Sequence, residues 1–379
     1  MKTAASSDDR TTLSQARRIV VKLGTNVIMG HEGKLALSRL YGIMEAVAAL
    51  RRAGKEVILV SSGAVGLGAQ ALKLENKPRT LELKQAFAAV GQGRLMALYQ
   101  DGFRRLEVTA AQVLLTEDDF GNRKRFLNLR GTLEKLLELG VVPVINENDT
   151  VSTAELETPG DWTRPIFGDN DKLSALVASG LDADLLLILS DVDGLYTANP
   201  SKDPDAKLIP LVTSMNAEIE GFADGQSSRG RGGMASKLAA VRVATQAGTR
   251  VVIASGAKHG ILADIFAGHT VGTLFLAEAR MKGVKRWVAH ASHIAGRVRV
   301  NSGAEAALRG GRASLLAAGV ISLEGDFQRD DVVAIADEQG HDFARGAAVM
   351  GHLEAETLLQ KHGKRVMVSR DTIVPIEIQ

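Results

Sequence analysis

The sequence contains no cysteine, few aromatic residues (4%) and no excess of charge of one sign. The lack of cysteine excludes disulfide bonds and thiolate metal sites, and it suits a reducing compartment. The 46 basic and 44 acidic residues give a formal net charge of +2, too small to attract a polyanion such as nucleic acid. No apolar run reaches membrane-spanning length, and no signal-peptide pattern occurs. We therefore expect a cytoplasmic protein that does not insert into membranes.

With 379 residues and 45% hydrophobic content, the chain can form two domains that each have a core. Six apolar runs of strand length are separated by segments with helical periodicity. These runs are Arg18–Leu23, Glu56–Val60, Gln112–Leu115, Val141–Ile145, Asp184–Leu189 and Arg250–Ala254. Continuous Val, Ile and Leu runs are typical of strands buried on both faces of a mostly parallel sheet. The predicted fold class is α/β, with an open, mainly parallel sheet sandwiched by helices.

The pattern changes near residue 280, where strand signals become shorter and glycine-containing turns more frequent. Short strands are expected at Arg297–Val300, Val332–Ile335 and Arg365–Val368. We predict a flexible leader over residues 1–16, the α/β domain over 17–280, a basic linker over 281–294 and a small β-rich domain over 295–379.

Two polar clusters lie where a predicted strand ends and where a predicted helix begins. Asn146 and Asp149 close the run Val141–Ile145, and Asn170 and Asp171 precede a segment with helical periodicity. Open α/β sheets bind ligands in the crevice at the carboxyl ends of their strands. The two clusters are therefore expected to face one ligand site.

Lys22 lies inside the first apolar run, where an unpaired ammonium group is costly to bury. We infer that it meets an anion, and Gly24 would let backbone N–H groups approach a phosphate. A lysine on an edge strand that reaches solvent is the alternative.

The second strand is followed by Ser61, Ser62 and Gly63 before a helical segment. Hydroxyl and N–H groups at a helix start suit a carboxylate or phosphate, although serine is also an ordinary N-cap. The spacing of Gly66, Gly68 and the following alanine resembles a dinucleotide fingerprint. Its first glycine comes too late after the strand, which disfavours nicotinamide binding.

Two later segments are candidates for nucleotide contacts. Ser190 and Asp191 follow the strand Asp184–Leu189 and predict either a nucleotide pocket or a simple Asp-Gly turn. The glycine-rich run 230–233 precedes a helix with Lys237 one turn inside it. Its amides could cradle phosphates, although the spacing is not that of a Walker A loop, and a solvated loop is the alternative.

Taken together and in this order, the motifs resemble the amino acid kinase family, in particular its glutamate-phosphorylating members. The matching segments are Val20–Asn26, Ser61–Gly68, Ala88–Met96, Gln112–Thr116, Arg125–Leu133, Val141–Val151, Phe167–Ala178, Asp191–Pro200 and Gly232–Lys237. The pair INEND and GDND distinguishes these members from aspartokinases, acetylglutamate kinases and uridylate kinases. The tail resembles a PUA domain, on the evidence of Ser314–Leu316, Gly319–Val320, Gly325–Phe327 and Val332–Ile335.

This resemblance implies that ATP phosphorylates the γ-carboxylate of L-glutamate in the first step of proline biosynthesis, with feedback inhibition by proline. It implies Mg²⁺ bound mainly through the ATP phosphates, no metal site made by the protein itself, and a dimer or tetramer. Lys22 and Lys237 would neutralise the transferring phosphoryl group, and Asp171 would organise both lysines. The implied glutamate ligands are Ser62, Asp149, Asn170 and Asn146. The implied nucleotide ligands are Lys22, Ser190, Asp191, Arg231, Gly232, Gly233, Met234, Ala235, Ser236 and Lys237.

The sequence departs from the family pattern at a few positions. The segment Thr153–Ile166 is longer than usual, which puts the substrate loop and the feedback response in question. Arg231 and Ser190 both stand where threonine is common, and Asn199 replaces a usual aspartate.

Two other functions remain open from the sequence. One is a kinase for another acyl or carbamoyl acceptor. The other is RNA binding through the PUA-like tail, against which the near-neutral charge and scarce aromatic residues argue.

Overall fold

The computed structural model describes residues 7–30, 34–74, 80–116, 118–151, 170–224, 233–279, 283–289, 294–311, 313–360 and 365–376. The chain divides into two compact units. Of the described residues, the first unit holds 7–116, 130–151 and 170–279 apart from the gaps given above, and the second holds 118–129 and those from 283 to 376. The domain boundaries expected from the sequence stay a prediction.

The α-helices are α1 Ser7–Thr11, α2 Thr25–Met29, α3 Leu37–Arg52, α4 Ala64–Ala71, α5 Leu81–Arg105, α6 Asp118–Gly121, α7 Arg123–Glu138, α8 Asn170–Gly180, α9 Ala217–Asp224, α10 Met234–Gln246, α11 Ile261–Phe266, α12 Gly283–Ala289, α13 Ser302–Arg309 and α14 His352–Gln360. Short 3₁₀ turns cover Thr12–Gln15 and Ala317–Gly319. The strands are β1 Arg18–Leu23, β2 Glu56–Ser61, β3 Ala110–Leu115, β4 Val142–Glu147, β5 Leu185–Ser190, β6 Leu211–Val212, β7 Arg250–Ser255, β8 Thr273–Phe275, β9 Gly296–Val300, β10 Leu315–Leu316, β11 Val320–Glu324, β12 Val332–Ala336, β13 Asp342–Ala347, β14 Val366–Val368 and β15 Val374–Pro375. In the described part of the chain, no helix has the length and apolarity needed to cross a membrane.

The first unit is built on an eight-stranded sheet of order β3-β4-β2-β1-β5-β7-β8-β6. Its strand pairs are parallel except for β7 with β8, so the predicted α/β class with a mainly parallel sheet is confirmed. Strand β1 pairs with β2 on one side and with β5 on the other. The strand order reverses at this point, and such a reversal opens the ligand crevice of an open α/β sheet.

Four of the six predicted strands run one or two residues further than the apolar pattern indicates. Their observed last residues are Ser61, Glu147, Ser190 and Ser255. Backbone pairing does not depend on side-chain polarity, so the ladders continue into the polar residues at the crevice edge. The strand ends themselves therefore carry candidate ligand-binding side chains.

Helices α4 and α5 approach each other backbone to backbone through two glycines. A Cβ on Gly91 would lie 1.7 Å from the carbonyl oxygen of Ala64, and one on Gly68 would lie 1.8 Å from that of Phe87. No side-chain movement can relieve a clash with main chain. This contact fixes α5 against the helix that follows the Ser62 loop.

We expect Gly91→Ala to lower the free energy of unfolding by about 1–3 kcal/mol or more, because the added methyl group overpacks the α4–α5 contact. Gly93→Ala is the matched control, since a Cβ on Gly93 of the same helix meets no atom within 4 Å. It is expected to stabilise the protein by about 0.5–1 kcal/mol through helix propensity. Urea unfolding of both variants measures the difference. Equal effects of the two substitutions would contradict the close contact.

The predicted flexible leader is wrong for the described residues from Ser7 onward. Leu13 is fully buried, and Arg10 is only 2% exposed. The Arg10 guanidinium donates hydrogen bonds to the carbonyl oxygens of Pro210, His269, Val271 and Gly272. The polar composition indicated a loose segment. In the structure, the polar side chain of Arg10 instead satisfies main-chain acceptors.

The predicted basic linker also contains regular structure. Helix α12 covers Gly283–Ala289, with Val288 buried beside Val332 and Ala347 of the second unit. The indole Nε1 of Trp287 donates to the carbonyl of Phe120 at 3.0 Å. These contacts attach the segment to the second unit.

The second unit contains a five-stranded sheet of order β11-β9-β12-β13-β15 and a two-stranded pair β10-β14. The pair β9–β12 is parallel, and the remaining pairs are antiparallel. Val298, Phe327 and Ile335 lie in its buried apolar cluster. The expectation of a small β-rich tail is confirmed.

Candidate active site

Three buried ionisable side chains from three elements meet on one side of the sheet. Asp171 on α8 is 0% exposed, and its two carboxylate oxygens face different lysines. Lys22 Nζ on β1 lies 2.6 Å from Oδ1, and Lys237 Nζ on α10 lies 3.2 Å from Oδ2. We call Lys22, Asp171 and Lys237 the ionic cluster.

The alternation of side chains along β1 explains why Lys22 reaches this cluster. Ile19, Val21 and Leu23 pack into the apolar core on one face of the sheet. Lys22 therefore points to the opposite face, where α8 carries Asp171. The alternative of an edge-strand lysine reaching solvent does not hold, because β1 is internal to the sheet and Lys22 is 3% exposed.

One carboxylate thus holds two ammonium groups in a site where each side chain is at most 5% exposed. Like charges repel strongly when they are shielded from water, and an anion that binds between them relieves this repulsion. The ionic cluster is chemically suited to a phosphoryl group, whose negative oxygens match two positive donors.

A chain of side-chain amides lies beside the ionic cluster, at the start of α8. Asn170 Nδ2 donates to Ser62 Oγ at 2.9 Å and to Asn146 Oδ1 at 3.0 Å. Asn146 Nδ2 in turn donates to Gln92 Oε1 of α5 at 2.8 Å. We call these four residues the amide cluster. It draws together the ends of β2 and β4 and the start of α8.

The amide cluster leaves one acceptor available. Asn170 Oδ1 is buried and accepts no hydrogen bond from any residue that the structure describes. A buried acceptor without a donor costs free energy, so a ligand with an N–H or O–H group is favoured there.

Asp149 lies just beyond β4, and its carboxylate is ion-paired with α5. Lys84 Nζ is 3.6 Å from Asp149 Oδ1, and the two side chains are 25% and 15% exposed. Asp149 is among the predicted glutamate ligands, whereas Lys84 is not.

The end of β5 presents Ser190 and Asp191. Ser190 Oγ donates to Asp191 Oδ1 at 3.0 Å, and Asn26 Nδ2 donates to Asp191 Oδ2 at 2.6 Å. Burial acts to raise the pKa of Asp191, but these hydrogen bonds and the charge of Lys237 outweigh it. The pKa of Asp191 is therefore below its ordinary value, and the carboxylate is ionised at neutral pH.

Helix α10 begins at Met234 with Gly233 as its N-cap, so Met234, Ala235 and Ser236 occupy its first turn. The first N–H groups of a helix have no intrahelical partner and suit phosphate oxygens. Arg231 and Gly232 lie outside the described residues. So does Thr153–Ile166, and the predictions for these positions stay predictions.

Sequence reasoning missed three side chains that contact the predicted site residues. Gln92 and Lys84 both lie inside α5, and neither carries a local signal, although Gln92 falls in the family-like segment Ala88–Met96. Asn26 lies in α2, three residues after the end of β1, and donates to Asp191. Of these three residues, only Asn26 follows a strand closely enough to be predicted from the polar residues that come after strands.

Two family models match the chain, the amino acid kinase family over residues 17–255 and the PUA domain over residues 296–369. The chain belongs to the amino acid kinase family. The first match spans β1 through β7 and includes every residue of the ionic and amide clusters.

Curated relatives place the chain more narrowly among the amino acid kinases. It is 47% identical to glutamate 5-kinase of Moorella thermoacetica, over 89% of this chain and 88% of that one. It is 45% identical to glutamate 5-kinase of Geobacter metallireducens, over 92% and 91% of the two chains. With glutamate 5-kinase of Synechococcus elongatus it shares 44% identity, over 94% and 98%. The chain is a member of the glutamate 5-kinase group, and the family resemblance seen in its motifs is confirmed.

Among solved structures, one titled "X-ray structures of isopentenyl phosphate kinase" aligns with a TM-score of 0.46 at 18% identity. The alignment covers 68% of this chain and 100% of that chain.

Proposed function

We propose that this chain transfers the γ-phosphoryl group of MgATP to the side-chain carboxylate of L-glutamate, giving L-glutamyl 5-phosphate and ADP in the first step of proline biosynthesis. The observation that carries the proposal is the ionic cluster beside the amide cluster. One supplies two cations for a phosphoryl group, and the other supplies amide and hydroxyl groups for the polar groups of glutamate. Identities of 43–47% to enzymes named glutamate 5-kinase support the choice of acceptor.

The reaction needs no general base, because a glutamate carboxylate with a pKa near 4.3 is already ionised at neutral pH. One carboxylate oxygen forms a bond to the γ-phosphorus as the bond to the β-phosphate oxygen breaks. The electron pair of that bond leaves with ADP. The main obstacle is repulsion between two anions, so positioning and charge neutralisation supply the catalysis.

Different groups of residues neutralise the phosphoryl group and bind glutamate. Lys22 and Lys237 approach the transferring group from a strand and a helix, and Asp171 holds both in position. Ser62, Asn146 and Asn170 bind glutamate, and Asp149 pairs with its α-ammonium group.

The nucleotide lies along the ends of β5 and the start of α10, on Ser190, Asp191 and the segment 231–237. Magnesium would be bound as part of the MgATP substrate, where it would neutralise phosphate charge. Among the described residues, no group of three His, Asp or Glu side chains is arranged to hold an ion by itself.

The acceptor is tested by hydroxamate formation from ATP, Mg²⁺ and hydroxylamine with four candidate substrates. We expect glutamate to react and N-acetylglutamate, aspartate and carbamate to react far more slowly. Faster reaction of any of the other three would mean that this compound, and not glutamate, is the acceptor. Titration of proline into the same assay tests the feedback inhibition that we propose as a further property. Activity that does not change with proline would contradict feedback inhibition. The longer segment Thr153–Ile166 would then be the first candidate for the cause.

Assembly as a dimer or tetramer is likewise part of the proposal. Light scattering of the purified chain measures it directly.

A further inference from the structure

Lys84 occupies an unfavourable position for a cation. It lies in the first turn of α5, a helix of 25 residues that begins after the N-cap Thr80. The helix dipole places partial positive charge at this end, which disfavours a lysine. A lysine here is therefore stabilised by anions that approach the start of the helix, and Asp149 is one of them.

The Lys84–Asp149 pair has the charge pattern of an amino acid head group. Free glutamate carries an ammonium and a carboxylate on the same α-carbon. A lysine and an aspartate 3.6 Å apart present the opposite charges at comparable spacing. Because both side chains are partly exposed, a zwitterion can exchange one protein ion pair for two protein–ligand pairs without burying a new net charge.

Helix α5 also reaches the other end of the proposed glutamate site. Gln92 is eight residues beyond Lys84, about 12 Å along the helix axis. It accepts a hydrogen bond from Asn146, which is linked through Asn170 to Ser62. One rigid helix thus borders both the pair at Asp149 and the amide cluster.

We propose that Lys84 binds the α-carboxylate of glutamate while Asp149 binds its α-ammonium group. This inference rests on the proposed function and makes Lys84 a specificity-determining residue. The enzyme then selects free amino acids over substrates whose α-carboxylate is blocked.

The experiment compares glutamate with its α-amide, which keeps the ammonium and the side-chain carboxylate but lacks the α-carboxylate charge. For Lys84→Gln we expect the KM for glutamate to rise about 10–100-fold, in line with a lost charge-assisted hydrogen bond, while kcat stays within about twofold. The preference for glutamate over the α-amide is expected to fall by the same factor as KM rises. Lys84→Arg keeps the charge and is expected to retain most of that preference.

Two further variants separate recognition from structure. Arg104→Gln removes a cation of the same helix that pairs with Asp101 on the surface, and it is expected to leave the preference unchanged. Asp149→Asn is expected to raise KM for glutamate and for the α-amide together, because both retain the ammonium group.

The results distinguish a failure of the Lys84 assignment from a failure of the proposed function. An unchanged preference in Lys84→Gln, or equal losses for both substrates, would overturn the role of Lys84 while leaving the kinase intact. A wild-type enzyme that fails to phosphorylate glutamate would overturn the proposed function, and this inference with it.

Discussion

Replacement of Lys237 by methionine is expected to reduce kcat by about 10²–10³-fold while the KM for glutamate changes little. The size follows from the loss of one preorganised positive group at a site of developing negative charge. The selectivity for kcat follows from location, because Lys237 on α10 pairs with Asp171 of the ionic cluster, whereas the proposed glutamate ligands belong to the amide cluster. Steady-state kinetics with both substrates varied in turn measure the two parameters.

The stability of this variant provides an internal check. Lys22 and Asp171 remain as a one-to-one ion pair 2.6 Å apart, so the unfolding midpoint is expected to stay close to that of the wild type. Arg242→Met is the matched control, since it removes another cation of α10 that pairs with Glu220 on the outer side. A kcat equal to the wild-type value in Lys237→Met would remove this lysine from the phosphoryl site.

Replacement of Asp171 by asparagine is expected to be damaging in a different way. It leaves two buried ammonium groups facing a neutral amide, and breaking a buried ion pair by removing one partner typically costs about 3–5 kcal/mol. We therefore expect both a large fall in the free energy of unfolding and near-complete loss of activity. Urea unfolding and the glutamate assay report on the two effects.

A double variant tests the electrostatic cause directly. Adding Lys237→Met to Asp171→Asn removes one of the two repelling cations, so part of the lost stability is expected to return. The second substitution alone is nearly neutral for stability, and the interaction energy of the cycle isolates the coupling. If Asp171→Asn proves as stable as the wild type, the carboxylate does not organise the two lysines.

Much of the first unit is predictable because its strands are buried on both faces. Arg18–Leu23 is predicted with the bounds of β1, since an apolar run with glycine after it leaves no competing assignment. Helix α8 is likewise expected from Leu173, Leu176 and Val177, all of which are buried. Strand-end polarity also indicates that Asn146 and Asn170 face one crevice, and they lie in hydrogen-bond contact.

What the sequence does not reveal is pairing across long separations. The ion pair of Lys84 with Asp149 joins residues that have no common local pattern. From the sequence, Arg10 is part of a polar leader. Its role depends on carbonyl partners that lie some 200 residues or more away in the chain. The short strands β6 and β8 escape prediction because two or three residues carry too little periodicity.

The position of Lys22 inside a central strand has a consequence for how the sheet assembles. Neighbouring side chains on a strand alternate between faces, so pairing of β1 one residue out of step would turn the ammonium group toward the aliphatic layer and Val21 toward Asp171. Burying a lone charge among hydrocarbon penalises such misalignment heavily. The residue proposed to meet the phosphoryl group therefore also favours the observed register of β1 over a register shifted by one residue.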